Sequence, residues 1–368
     1  MSQTSIQKLA DYGQSIWLDY ISRSLLESGK LKNLIGQGLR GMTSNPTIFN
    51  QAISSSRDYD SKITKLLESG KKTFEIYDEL TISDIQEACD TFKNVYERTD
   101  ALDGYVSLEI NPKLAMNTDE SIKEGRRLFQ KVKRPNCMIK VPSTKAGFPV
   151  IEELLADGIN VNVTLIFSVE QYEQTAQAYL KGMSRLAKKQ KDLNRTRSVA
   201  SVFVSRIDTA VDKLLDEKKA PSVLKGKAAV ANSQLIFEKF QSYFSSDTYK
   251  ALAKNKAQPQ RVLWASTGTK NPAYSDIKYV TELISKPTVN TLPENTLNAV
   301  LDHGVVKEAL IGDVQEARKI FSDLKALGMD VDQVCAKLLT DGVAAFEKSF
   351  DELLESITAK SKSLCAAS

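Results

Sequence analysis

The sequence predicts a (β/α)8 barrel, an α/β fold in which eight parallel strands alternate with helices. Three observations support this prediction. Eight short apolar segments are separated by longer segments with apolar residues at helical spacing. Polar and apolar residues alternate within several short segments, as in strands with one face toward helices and the other toward a barrel interior. With 368 residues, 42% hydrophobic and 26% charged, the chain can form such a barrel and additional helices.

Each predicted strand is rich in apolar and β-branched residues and is bounded by turn residues or a helical segment. The strands are SIWLDY (15–20), LRGMTS (39–44), GYVSLEI (104–110), CMIKVP (137–142), INVNVTLIF (159–167), VASVFVS (199–205), RVLWAS (261–266) and PTVNTLP (287–293). Because helical segments separate them, successive strands are expected to pair in parallel. An open, doubly wound sheet is the alternative.

The segments between strands have the apolar periodicity of amphipathic helices. Examples are DESIKEGRRLFQKVK, SVEQYEQTAQAYLKGMSRLAKK and GKAAVANSQLIFEKFQSYF. Two helical regions are additional to the repeat of one strand and one helix. One lies at about 50–98, between the second and third strands, and the other at about 305–360. We therefore predict a single barrel domain over residues 1–368, with a helical insertion and a C-terminal helical extension.

Composition and motifs argue against several classes of function. The net charge of +4 is small, so nucleic-acid binding is not expected. The polar N-terminal segment and the absence of a long apolar run predict a cytoplasmic protein without membrane contact. GQGLRG (36–41) matches GxGxxG, but a helical segment precedes it and a strand follows, the reverse of the dinucleotide-binding order. We expect no cofactor, and no metal site, because the cysteines are scattered and His303 is the only histidine.

Lys140 lies within the apolar segment NCMIKVPST, where a charged amine is unfavourable. Alternation along a strand places it on the face opposite to Ile139 and Val141. On this segment alone, an edge-strand lysine that points to water is the simpler interpretation. A closed barrel has no edge strand, however, and a lysine desolvated in its interior can act as a nucleophile.

Other predicted strands also carry polar residues on the inward face. In the fifth strand, Val161, Val163 and Leu165 are expected to face the helices, which leaves Asn162 and Thr164 inside. The same alternation in the other strands gives an inward polar set: Asp19, Glu109, Lys140, Asn162, Thr164 and Ser201. Each residue singly could form only a structural hydrogen bond. Their convergence on one mouth of the barrel predicts an active site.

A buried lysine beside carboxylates, without a metal motif or a histidine base, suits Schiff-base chemistry on a carbonyl substrate. The amine attacks a ketone, water is lost, and the protonated imine accepts electrons when a neighbouring C–C bond breaks. Imine formation needs a proton donor and a proton acceptor. Glu109 and Asp19 could divide these roles if their surroundings hold their pKa values apart.

Six segments resemble, in order and residue type, the motifs of the transaldolases, in particular the longer bacterial form. They are GMTSNPTIF, VSLEINP, MIKVPST, INVNVTLIFS, SVFVSRID and WASTGTKNP, and the resemblance spans roughly residues 13–303. It implies a (β/α)8 fold of class I aldolase type and transfer of a dihydroxyacetone unit in the non-oxidative pentose phosphate pathway. Sedoheptulose 7-phosphate and glyceraldehyde 3-phosphate would reversibly give erythrose 4-phosphate and fructose 6-phosphate. Sugar phosphates are the implied partners, and the resemblance allows a monomer or a homodimer.

The resemblance also implies roles for individual residues. Lys140 matches the Schiff-base lysine, Asp19 the acid and base at the donor C4 hydroxyl, and Glu109 with Thr164 the pair that handles a water during carbinolamine dehydration. The matched substrate-binding positions are Thr43, Asn45, Asn162, Ser201, Phe203 and the phosphate-binding Arg206. Shorter family members have a second arginine in a tighter ASFRN-like turn. In WASTGTKNP, Ser266 and Lys270 are the predicted replacements.

Two other functions stay open. A fructose 6-phosphate aldolase of the same superfamily would release free dihydroxyacetone, and in those relatives a tyrosine resembles the acid/base group at the position of Phe203. Phenylalanine cannot donate a proton, so the sequence favours transfer. The other function is a non-catalytic sugar-phosphate-binding barrel. Binding alone does not require a buried Lys140 together with Glu109 and Asp19.

Overall fold

Eight parallel strands close into a barrel. The computed structural model describes residues 3–310 and 314–367. Within them, the strands are β1 (Gln14–Asp19), β2 (Gly41–Thr43), β3 (Tyr105–Glu109), β4 (Cys137–Pro142), β5 (Val161–Ile166), β6 (Ser198–Phe203), β7 (Arg261–Ala265) and β8 (Thr288–Leu292). Each strand pairs with the next, and β1 pairs in parallel with β8, so the sheet has no edge. The predicted (β/α)8 barrel is confirmed, and the eight strands end within two residues of their predicted limits.

Helices connect the strands and surround the barrel. In the described residues they are α1 (Ser5–Tyr12), α2 (Arg23–Glu27), α3 (Lys30–Gly36), α4 (Pro46–Ser55), α5 (Asp60–Glu68), α6 (Thr73–Arg98), α7 (Thr118–Val132), α8 (Gly147–Ala156), α9 (Val169–Leu186), α10 (Ser205–Glu217), α11 (Ala228–Tyr243), α12 (Asp247–Ala253), α13 (Lys278–Thr281), α14 (Glu294–His303), α15 (Gln315–Ala326) and α16 (Val331–Ala367). Among these same residues, no helix is long and apolar enough to cross a membrane.

The two additional helical regions lie where the sequence predicts helices. Three helices, α4 to α6, connect β2 to β3, and α15 and α16 follow β8. The predicted extension at about 305–360 includes residues 311–313, which lie outside the described residues. That residues 1–368 form one domain remains a prediction.

Side chains at the carboxyl ends of the strands start the helices that follow them. After β2, Asn45 caps α4, because its Oδ1 accepts a hydrogen bond of 3.0 Å from the Ile48 amide. Pro46 occupies the first turn of the same helix, where its fixed φ angle is favourable. After β5, Ser168 and Gln171 form a capping box at the start of α9. These caps turn the chain at the barrel mouth.

The barrel interior is filled by side chains in successive layers. Trp17 pairs in register with Gly41, and a Cβ at position 41 would lie 2.6 Å from Trp17 Cε2, so only glycine leaves room for the indole. Above it, Asn162 Nδ2 donates to Ser107 Oγ at 2.9 Å, and Ser201 Oγ donates to Asn162 Oδ1 at 2.6 Å. Polar side chains from β3, β5 and β6 therefore meet inside the barrel.

The alternation breaks in β5. The register between β5 and β6 shifts after Val163, and Leu165 has a φ of 59°, in the left-handed region. Leu165 lines a cavity at the barrel mouth together with Glu109 and Phe346 of α16. The prediction that Leu165 faces the surrounding helices with Val161 and Val163 is therefore wrong. An extra residue in the strand reverses the direction of the side chain that follows it.

The long helix α16 crosses the carboxyl ends of the strands. It approaches β5 at Gly342, where a Cβ would lie 3.1 Å from Leu165 Cδ2. Farther along, the hydroxyls of Ser349 and of Thr47 in α4 are hydrogen-bonded at 2.8 Å. The helix therefore reaches from the barrel mouth to the segment that connects β2 and β3.

Candidate active site

A cavity of about 170 Å³ opens at the carboxyl ends of the strands. Ten of the twelve predicted site residues line it: Asp19, Thr43, Asn45, Lys140, Thr164, Ser201, Phe203, Arg206, Ser266 and Lys270. The other two, Glu109 and Asn162, do not line this cavity. Glu109 lies beside Lys140 and lines the neighbouring cavity, whose wall also includes Leu165. Asn162 is fully buried and hydrogen-bonded to Ser201, which does line the cavity.

Lys140 and Glu109 form an ion pair inside the barrel. They are register partners on β4 and β3, with Lys140 Nζ 3.4 Å from Glu109 Oε2. Nζ also donates a hydrogen bond of 3.0 Å to the Ser44 carbonyl oxygen. The two residues are only 5% and 6% exposed, respectively. Burial raises the pKa of Glu109, although the charge of Lys140 opposes the change, so this carboxylate takes up a proton more readily than an exposed glutamate.

Asp19 is held by hydroxyl groups from neighbouring strands. Thr43 Oγ1 donates to Asp19 Oδ1 at 2.7 Å, and it lies 2.8 Å from Thr291 Oγ1. With Asp19 ionised, the single hydroxyl proton of Thr43 is committed to Asp19, so Thr291 is the donor to Thr43. Burial raises the pKa of Asp19, while Lys140, the Thr43 hydrogen bond and Arg206 oppose the increase. Lys140 therefore acts on two carboxyl groups whose pKa values burial raises.

Two buried polar atoms near Lys140 make no well-aligned hydrogen bond among the described residues, although one of them is in the long ion pair with Lys140. They are Glu109 Oε2 and Thr164 Oγ1. Buried oxygen atoms are almost always hydrogen-bonded in folded proteins. A carboxylate and a hydroxyl in this state can bind a water molecule or a substrate oxygen.

Two further cations, Arg206 and Lys270, line the same cavity. Arg206 lies in the first turn of α10, with its Cζ 5.2 Å from the centre of the Phe203 ring. Within the described ranges, its guanidinium makes no hydrogen bond or ion pair with the protein, which leaves its donors available. The start of α10 is attached to the end of β7, because the Ser205 amide donates to the Ser266 carbonyl oxygen at 3.0 Å. Lys270 follows on the same loop, so two cations and a helix N-terminus can receive an anion such as a phosphate.

Five residues that line the cavity were not predicted: Ala265, Gly268, Thr291, Pro293 and Phe346. Thr291 could have been found, because it is a polar residue in a predicted strand and pairs in register with the inward Trp17. Phe346 could not, since it lies in a helix that follows the barrel, and helical periodicity does not identify the surface that a helix covers. The centre of its ring lies 6.0 Å from Lys140 Nζ.

Comparisons with known proteins give the family of the chain. The sequence profile of the Transaldolase/Fructose-6-phosphate aldolase family matches residues 16–357. The chain is 43% identical to a transaldolase of Trichodesmium erythraeum, with 99% of each chain covered. It is 46% identical to a transaldolase of Saccharopolyspora erythraea, with 97% of each chain covered. A transaldolase of Mycobacterium marinum is 44% identical, again with 97% of each chain covered.

Proposed function

The chain belongs to the transaldolase/fructose-6-phosphate aldolase family, and we propose that it is a transaldolase that transfers a dihydroxyacetone unit between sugar phosphates. The donor would be sedoheptulose 7-phosphate and the acceptor glyceraldehyde 3-phosphate, with erythrose 4-phosphate and fructose 6-phosphate as products. The observation that carries the proposal is the position of Lys140. Its amine lies in the barrel mouth beside Glu109, in one cavity with Asp19 and Arg206.

In the first step, Lys140 forms a Schiff base with the ketose. The amine loses a proton and attacks the C2 carbonyl carbon, which gives a carbinolamine. Glu109 can accept the proton from the amine and return it when the C2 hydroxyl leaves as water. A water molecule between Glu109 Oε2 and Thr164 Oγ1 would relay this proton, since Thr164 Oγ1 makes no hydrogen bond among the described residues and Glu109 Oε2 has only its ion pair with Lys140.

In the second step, the C3–C4 bond breaks. Asp19 removes the proton of the C4 hydroxyl, the aldehyde product leaves, and the electrons of the bond reduce the iminium to an enamine on Lys140. The enamine carbon then attacks the carbonyl carbon of the acceptor aldehyde, and Asp19 returns its proton to the new hydroxyl. Hydrolysis of the resulting Schiff base releases the product ketose and restores the amine.

Arg206, Lys270 and Ser266 would bind the substrate phosphate. The available donors of Arg206 and its position at the start of α10 support this role. Thr43, Asn45 and Ser201 line the same cavity as Arg206 and Lys140, and their polar groups suit the hydroxyls of a sugar chain. Asn162 would act indirectly, because its hydrogen bond orients Ser201.

Release of free dihydroxyacetone, the reaction of an aldolase, is the second candidate. It requires a proton donor at the enamine carbon. Phe203 lines the cavity where such a donor would stand, which favours transfer. An assay with fructose 6-phosphate, with and without an acceptor aldehyde, separates the two reactions, and a barrel that only binds sugar phosphates would show neither.

Borohydride reduction tests the Schiff base directly. With fructose 6-phosphate present, we expect mass spectrometry to find a reduced three-carbon adduct on Lys140, because cleavage leaves the fragment there until an acceptor arrives. Lys140→Met should abolish the adduct and lower turnover by orders of magnitude while retaining the fold, since methionine is apolar and of similar length. Lys145→Met, which changes an exposed lysine just after β4, is the matched control. An adduct on another lysine would exclude Lys140 as the nucleophile.

Two further properties, cellular location and oligomeric state, are part of the proposal. A role in the pentose phosphate pathway would place the protein in the cytoplasm, and the family resemblance allows a monomer or a homodimer. Cell fractionation tests the first, and size-exclusion chromatography with light scattering tests the second.

A further inference from the structure

One side chain outside the barrel strands reaches Lys140. Phe346 projects from α16 over the mouth, with its ring centre 6.0 Å from Lys140 Nζ, and it is only 7% exposed. The ring also lines the main cavity, so it stands where the substrate would bind.

Phe346 lies on the wall of a second, smaller cavity as well. This cavity has a volume of about 10 Å³, roughly that of a single water, and contains Glu109. Among the described residues that line it, Glu109 alone is charged. Leu165, Val343 and Phe346, which we call the apolar cover, form the part of its wall that comes from β5 and α16. The β5 bulge supplies Leu165 and α16 supplies the other two, so the Lys140–Glu109 pair lies beneath an apolar layer.

We propose that Phe346 is a specificity-determining residue that keeps bulk water from the three-carbon fragment on Lys140 and thereby favours transfer over release. This proposal rests on the transaldolase activity proposed above. The role of Phe346 differs from that of Phe203, which favours transfer because its ring cannot donate a proton to the enamine carbon. Phe346 instead limits how many water molecules can reach the fragment.

Transfer and release differ in the bond that the nucleophilic carbon of the enamine forms. In transfer, the carbon forms a bond to the acceptor aldehyde. In release, the carbon takes a proton from water, a second water adds to the iminium carbon, and the C–N bond to Lys140 breaks. The hydroxide left by the first water takes up the proton lost by the second. Release therefore consumes one water in total, and it begins with a water at the enamine carbon.

Phe346→Ala should open the mouth above this carbon. We expect the ratio of dihydroxyacetone release to transfer, measured with fructose 6-phosphate and erythrose 4-phosphate, to rise by about tenfold. In D2O, released dihydroxyacetone should carry one deuterium, on the carbon that was bonded to the departing aldehyde. Phe346→Leu retains an apolar group and should stay close to the wild type in both measurements.

Phe350→Ala is the matched control on the same helix. Phe350 is 1% exposed and packs edge-to-face on Tyr77 of α6, with the ring centres 5.1 Å apart, and it lines neither cavity. Its truncation should lower the free energy of unfolding without changing the partition. An equal change of partition in both variants would show that general loosening of α16 is responsible, and would overturn the proposal.

An unchanged partition in Phe346→Ala, with the Lys140 adduct still formed, would overturn the role of Phe346 alone. Absence of the adduct in the wild-type protein would overturn the proposed function, and this role with it. Circular dichroism would establish that the variant is folded. If Phe346→Ala does not fold, Phe346→Val provides the same test, because the valine side chain is shorter than leucine and leaves most of the space of the ring open.

Discussion

At the scale of single residues, Lys140 is placed between two carboxylates with different partners. Glu109 contacts the lysine directly and has one oxygen without a hydrogen bond among the described residues. Asp19 instead receives a hydroxyl proton from Thr43. Burial raises the pKa of both carboxyl groups, so either can carry a proton through a reaction cycle. Their different surroundings suit a division of work between imine formation and C–C cleavage.

Arg206→Ala tests the phosphate site. We expect KM for phosphorylated substrates to rise by about one to two powers of ten, because a lost charge-assisted hydrogen bond costs roughly 1.5–3 kcal/mol. KM for unphosphorylated analogues should change little. Lys270→Ala should have a smaller effect on the same substrates, since Lys270 is exposed and its charge is screened by water. Equal losses for both kinds of substrate would show that Arg206 supports the structure instead.

Residue-level prediction worked for side chains on the regular parts of several strands. Alternation indicated the inward positions of Asp19, Lys140 and Ser201, because the strand period is strictly two and a closed barrel has one interior. It did not indicate that Glu109 lies behind the main cavity, or that Asn162 is covered by Ser201. These details depend on side-chain packing between strands that are distant in sequence.

At the scale of elements, α16 is joined to the segment between β2 and β3 by a partly buried lysine. Lys360 Nζ donates to the Ile53 carbonyl oxygen at 2.9 Å, is hydrogen-bonded to the Ser56 carbonyl oxygen, and forms an ion pair with Asp60 at 2.9 Å. The Lys360 side chain is 17% exposed. Hydrogen bonds to a charged group in such surroundings are stronger than those at the surface.

Lys360→Met should therefore loosen the C-terminal half of α16. We expect amide hydrogen exchange there to accelerate by about tenfold or more, as loss of roughly 1.5–3 kcal/mol implies. Lys362→Met, two positions further along at an exposed site, is the control and should leave exchange unchanged. Identical exchange in the two variants would mean that packing, and not Lys360, attaches the helix.

Element-level prediction succeeded for the eight strands and failed at one bulge. The strands are short apolar runs with clear boundaries, so their sequence pattern is strong. The β5 bulge is a local backbone deviation at Leu165, a residue type that ordinarily avoids positive φ, so its sequence carries no signal. The helical nature of α16 was evident, but its position over the mouth depends on contacts with α4, which is nearly 300 residues earlier.

At the scale of the whole molecule, the free energy of unfolding depends on pH through buried carboxyl groups. Asp208 of α10 accepts hydrogen bonds from the Ala229 amide and from Tyr279 of α13, at 2.8 and 2.9 Å. Burial raises its pKa from 3.8 to about 6, and the charge of Asp212 adds to the increase, while Lys278 opposes it. Between these two pKa values the folded protein binds a proton that the unfolded chain has released. Proton binding by Asp208 therefore stabilises the folded protein fully at pH values below the pKa of the unfolded chain. This stabilisation is lost as the pH rises through the pKa of the folded protein.

Asp208→Asn removes this titration. Relative to the variant, the wild-type protein should lose up to about 3 kcal/mol of unfolding free energy as the pH rises from 4 to 7, because one pKa unit corresponds to 1.36 kcal/mol. Urea denaturation of both proteins at several pH values measures the difference. Asparagine retains an acceptor for the Ala229 amide, so the hydrogen bond at that end should persist. Parallel stability curves would show that Asp208 does not titrate in this range.

Because α16 follows all eight strands, the genetic information for two of the three residues of the apolar cover, Val343 and Phe346, is separate from that for the barrel. A stop codon before residue 331 would leave the six motif segments intact and remove both Val343 and Phe346. A motif search would still assign such a gene product to the family, although water would reach its lysine. Carrying the motifs and having a complete site are therefore separate properties, and a survey of genomes for this activity has to examine the final helix as well as the strands.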